Sequence, residues 1–104
     1  MLAYPAAVPG YVIVGVEWHS DEAFAAYARD VERTIEMFGG RYIVGTRDVD
    51  VREGDWRPEI AVVLEFPSLQ AARDWYQSDE YAALLEIRKR GATTDLVLVD
   101  GLDE

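Results

Sequence analysis

The sequence contains no cysteine. That removes disulfides, thiolate nucleophiles and thiolate metal ligands together. It has one histidine, His19, and no Cys or second His to complete a catalytic triad with it. No apolar run approaches the roughly 20 residues that a membrane-spanning helix needs. Basic residues are scarce: 10 Lys and Arg against 20 Asp and Glu give a formal charge of −10. Such a surface repels phosphate backbones and anionic bilayers, so neither nucleic acid nor membrane is an expected partner. The one basic run, Arg88-Lys89-Arg90, falls late in an expected helix, where cations suit the negative end of the helix dipole. The opening segment, MLAYPAAVPG, lacks a basic n-region and carries Pro5 and Pro9. It reads as an extended arm over residues 1–9 and not as a signal peptide, which makes a cytoplasmic protein the default expectation.

What is present is a core. Half of the 104 residues are hydrophobic, enough for one folded domain over 1–104 and against wholesale disorder. YVIVGVEW (residues 11–18) is rich in β-branched and aromatic residues and predicts a strand. Ser20 and Asp21 supply N-cap chemistry, and Phe24, Tyr27, Val31, Ile35 and Phe38 follow as one apolar helical stripe. Gly39 and Gly40 stop it. RYIVGTRDVDV (41–51) predicts a second, more charged strand, and REGDWRPE a turn. IAVVLEF (60–66) predicts a third strand. Pro67 ends that strand and Ser68 caps a helix carrying Leu69, Ala72, Trp75 and Tyr76. Ser78 and Asp79 mark a break and a fresh cap before Tyr81, Leu84 and Leu85. TDLVLVD (94–100) predicts a fourth strand, and an acidic tail (102–104) follows.

The order βαββαβ is the ferredoxin-like unit, an α+β fold. It predicts a four-stranded antiparallel sheet in the order 4-1-3-2, with both helices on one face. Side chains alternate across a strand. Val12, Val14, Val16 and Trp18 share one face, and Ile60, Val62, Leu64 and Phe66 share the same one, so these should receive the helices. The opposite face carries Tyr11, Ile13, Val63 and Glu65, too apolar to stay wet. A second copy covering it in a two-fold homodimer, a dimeric α+β barrel, is the economical solution, with those four residues at the interface.

GYVIVGVEW (10–18), GGRYIVG (39–45), the long block from Glu53 to Ala92 and LVLVDG (96–101) together resemble the family called domain of unknown function 1330. The resemblance spans residues 10–101, and its most specific block is EFPS…A…WY.S.EY. It implies a ferredoxin-like fold of the dimeric α+β-barrel class and brings no agreed reaction. Asp79 departs from the proline usual at that position, a change acceptable in a first helical turn. Barrels of the wider class include cofactor-free monooxygenases, haem enzymes and lactone isomerases, so fold alone selects no chemistry.

Candidate site residues follow from residue type and place. His19 has a near-neutral pKa suited to general-base work, but base catalysis needs a positioned partner, and a capping or solvated loop role is the plainer one. Glu17 and Glu65 share the open face yet should lie at opposite ends of antiparallel strands, which argues against a dyad. Glu65 needs a partner, with Arg41 or Arg47 as candidates. DVDVREGD fails as a calcium loop: counted from Asp48, position five is Arg52 and the glycine position is Glu53. Trp75 and Tyr76 are consecutive, so only one can face the core squarely. Trp56 sits in a turn, where an aromatic is less easily explained as core. Arg57 and Arg73 are able to orient an anion. Two functions follow. One is a homodimer that binds or converts a small organic molecule without metal, nucleotide or other cofactor, in a pocket lined by His19, Tyr27, Trp56, Arg73 and Tyr76. The other is a non-catalytic binding or accessory module in which the same aromatics are packing. No catalytic residue is assigned.

Overall fold

A computed structural model describes residues 8–102 of the chain. Residues 1–7 of the expected arm (1–9) and residues 103–104 of the acidic tail (102–104) lie outside the described residues. The elements run β1 (Gly10–Trp18), α1 (Asp21–Met37), β2 (Arg41–Thr46), β3 (Ile60–Phe66), α2 (Leu69–Tyr76), α3 (Asp79–Gly91) and β4 (Ala92–Asp100). The sheet order is β2-β3-β1-β4, as expected, and every pairing is antiparallel. The two most apolar strands are central because they have the least polar surface to offer water.

Each helix starts where its cap chemistry places it. Ser20, Ser68 and Ser78 accept from the backbone N–H of Ala23, Ala71 and Tyr81, each satisfying a donor left free in the first turn. Ser78 also separates α2 from α3, confirming the break read from Ser78-Asp79. Gly39 ends the α1 region at φ +81°, a left-handed turn that disfavours a Cβ.

The helices bury the face that alternation assigned to them. Val12, Val14, Val16, Leu64 and Phe66 from the sheet meet Val31 and Ile35 of α1, Ala72 and Trp75 of α2, and Tyr81 and Leu84 of α3. Each large side chain taken out of water there contributes roughly 1.5–3 kcal/mol. Thr34, buried in the same layer, accepts from Trp75 Nε1–H at 3.0 Å and donates to Val31 O at 2.7 Å. Trp75 is therefore the core member of its pair, 2% exposed, and Tyr76 is half-buried beside it.

One boundary is shorter than expected. The second strand ends at Thr46, not Val51. Thr46 Oγ1 accepts from Asp48 N–H at 2.9 Å and turns the chain away, and a register shift between Tyr42 and Val44 has already loosened the ladder. As an edge strand, β2 has no second neighbour to hold it straight.

Candidate functional site

The inner layer is not completely filled. A cavity of about 270 Å³ lies between the sheet and the helices, walled by Val14, Val16 and Val62 below and by Tyr27, Trp75 and Tyr81 above. Its mouth is formed by Phe24, 41% exposed, and Tyr42, 39% exposed, with Glu32 beside them. Phe24 belongs to the apolar stripe of α1, but it stands at the rim and not in the core. It meets Trp18 edge-on, ring centres 5.5 Å apart. Trp18 in turn touches Tyr27 at 5.3 Å, so the wall is continuously aromatic.

Polar chemistry enters this wall through one chain of contacts. Tyr27 and Tyr81 share a hydroxyl–hydroxyl hydrogen bond of 2.6 Å, and Arg88 Nε–H donates to Tyr81 Oη at 3.3 Å. Burial pushes the Tyr27 phenol far above its ordinary pKa, and its contact with Tyr81 adds to the rise. Tyr27 is thus held protonated at physiological pH, and either hydroxyl of the Tyr27–Tyr81 pair is able to donate to the other. Tyr42 at the mouth is raised to about 12, by burial and then by the nearby Glu32 charge.

The residues singled out from the sequence divide between places. Tyr27 lines the cavity. Tyr76 lines an adjoining cleft with Arg88, Lys89 and Thr94. His19 is exposed, and its Nε2 lies 2.7 Å from Thr93 Oγ1 at the strand end. Arg73 is exposed in the last turn of α2. Trp56 lies across the opposite, open face of the sheet, where Gly15 admits it: a Cβ there would stand 2.6 Å from Trp56 Cζ2. His19, Arg73 and Trp56 are therefore not brought together with Tyr27, because a loop or helix end reaches different faces of the sheet that local pattern does not distinguish.

Arg88 is the polar residue of the wall that sequence reasoning passed over as part of a basic run. The available signal was spacing: Tyr81, Leu84 and Arg88 fall on one helical stripe, the one α3 buries. Glu65 found the partners expected of it, accepting from Arg41 at 2.8 Å and from Tyr11 Oη–H at 3.2 Å. Arg47 instead faces Glu59 at 3.8 Å. No group of three or more His, Asp or Glu side chains placed to hold a metal ion occurs among the described residues. No helix among them is long and apolar enough to cross a membrane.

Topology and cavity together define a ferredoxin-like α+β protein with an aromatic chamber between helices and sheet. The chain belongs to the family described as Domain of unknown function (DUF1330), whose model matches residues 9–102. No curated protein matches it. Among solved structures it resembles RPA0582, a protein of unknown function from Rhodopseudomonas palustris. The identity is 20%, the match covers 94% of this chain and 85% of that one, and the TM-score is 0.72. It also resembles SnoaB, a cofactor-independent oxygenase from Streptomyces nogalater, at 13% identity, 94% and 97% coverage and a TM-score of 0.63. Rv0793 from Mycobacterium tuberculosis matches at 19% identity, 92% and 97% coverage and a TM-score of 0.55. At these identities the likeness is one of fold.

Proposed function

We propose that the chamber between helices and sheet binds a small organic molecule, and that the working unit is a homodimer joined through the open sheet faces. The observation that carries the first part is the cavity itself: about 270 Å³, aromatic-walled, with an exposed mouth. That is near the lower end of ligand-pocket volumes, about 300 Å³, and suits a ligand of one or two rings. The homodimer is supported by the uncovered face, where Ile13 and Val97 stand beside Trp56 and Val63 and Val99 share the same side of the sheet. Fold kinship with a cofactor-independent oxygenase supports conversion of the bound molecule by analogy only.

A thermal-shift screen against small carboxylates, aromatics and aldehydes tests the chamber, since a ligand of the folded state must raise Tm. At least one class should raise Tm and change the emission of Trp18 or Trp75, which line the wall. Ala28→Trp, at an exposed position on the cavity rim, should block the effect without unfolding the chain. A flat screen sinks the reading.

One observation favours a second function, a non-catalytic dimeric binding module. Tyr27 and Tyr81, the phenols of the chamber wall, are engaged with each other at 2.6 Å, an arrangement that suits shaping a binding wall. Incubation of any hit with the protein, followed by mass analysis of the compound, separates the two: an unchanged ligand supports the module.

A further inference from the structure

Arg88 is 6% exposed, yet no carboxylate pairs with it among the described residues. Its one hydrogen bond there goes to the Tyr81 hydroxyl oxygen. A buried guanidinium in a chain with 20 acids ordinarily finds one of them, because a charge removed from water needs a counter-charge. Here the acids stay on the surface and the cation is left facing a hole. That hole is a cleft of about 380 Å³ lined by Tyr76, Arg88, Lys89, Ala92, Thr94 and Leu96. Arg88 and Leu96 also line the aromatic chamber, so the two spaces share these two residues as a common wall.

A second, independent observation concerns a residue that lines the same cleft. Thr94 Oγ1 is buried and has no hydrogen-bond partner, alone in this among the side-chain polar atoms of the described residues. An unpaired buried hydroxyl is a net cost to the fold, and it is relieved by an acceptor arriving from outside. A guanidinium fork and a hydroxyl donor lining one cleft match the two oxygens of a carboxylate. With one buried cation and Lys89 at the rim, the charge suits a monoanion better than a phosphate dianion.

Resting on the chamber's role as a ligand pocket, we propose that its ligand is an amphipathic carboxylic acid. The carboxylate binds Arg88 and Thr94 in the cleft, and the apolar body lies in the aromatic chamber.

The test uses an isosteric pair, 2-naphthoate and 2-naphthamide, titrated into the full chain at neutral pH and followed by tryptophan emission and calorimetry. Naphthoate should bind about ten-fold or more tighter than the amide, the scale of a charge-assisted contact. Thr94→Val should weaken naphthoate while leaving the amide unchanged, and since it removes an unsatisfied hydroxyl it should not lower the apo Tm. Arg88→Gln should erase the preference for the acid. The threonine variant keeps the test decisive if the arginine variant fails to fold. Equal binding of acid and amide overturns the carboxylate assignment and leaves the chamber standing. Binding of neither overturns it too, and combined with a flat thermal screen it removes the chamber reading as well.

Discussion

Trp75 buries its indole against Phe66 and Tyr81, with ring centres 5.6 and 4.2 Å away, and still satisfies its one polar atom through Thr34. Thr34→Val keeps the shape and strands the indole N–H. The loss should be about 1–3 kcal/mol, read as a lower urea midpoint with unchanged slope. Glu65 makes a different prediction. The Arg41 guanidinium, opposed by partial burial and helped by the Tyr11 hydroxyl, holds its carboxyl below the ordinary value. A carboxylate with a depressed folded pKa stabilises above its unfolded value, about 4.3, and loses that contribution as pH falls through the folded one. The stability gap between wild type and Glu65→Gln should therefore close as pH falls from above the unfolded value through the lower folded one. A constant gap would show that the pair is ornamental. That Glu65 needs a partner was legible from its place on an apolar face. That Arg88 is buried was carried only by its spacing from Tyr81 and Leu84, a signal masked because a basic run at a helix C-terminus already has a sufficient reading as a solvated, dipole-matched end.

Elements were read well wherever the signal was local. The caps at Ser20, Ser68 and Ser78 hold as expected, since a cap depends only on residues within one turn. Ser78 has the heaviest duty: its Oγ accepts from Tyr81 N–H at 3.1 Å and donates to Trp75 O at 2.7 Å, joining α2 to α3. Ser78→Ala should cost about 1 kcal/mol by denaturant melting. Because Tyr81 begins on that cap, the near-ultraviolet dichroism of the aromatic wall should weaken in the same variant. The second strand was read too long. Its alternation of charge and valine continues past Thr46, but an edge strand also needs a straight partner, and β3 begins only at Ile60.

For the whole molecule, the question is what covers the open sheet face. Val97 is 54% exposed and Trp56 51% exposed, on the side away from the helices. If a second copy lies there, the wild type sediments as a dimer at micromolar concentration, and Val97→Asp, which would bury an unpaired charge in the joint, shifts it to monomer. A monomeric wild type sinks the assembly while leaving the chamber untouched, since chamber and open face lie on opposite sides of the sheet. The sequence by itself determined the order βαββαβ, the caps, and which residues of each central strand face the helices. Those follow from periods of two and 3.6 residues and from chemistry within one turn. Only the tertiary structure decided what the site is. It brought Tyr27 to Tyr81 across 54 positions and Thr34 to Trp75 across 41. It sent Trp56 to the other face and left Arg88 and Thr94 beside a cleft. Those placements depend on how far each helix stands from the sheet, a distance set by packing side chains from remote segments and written in no local pattern.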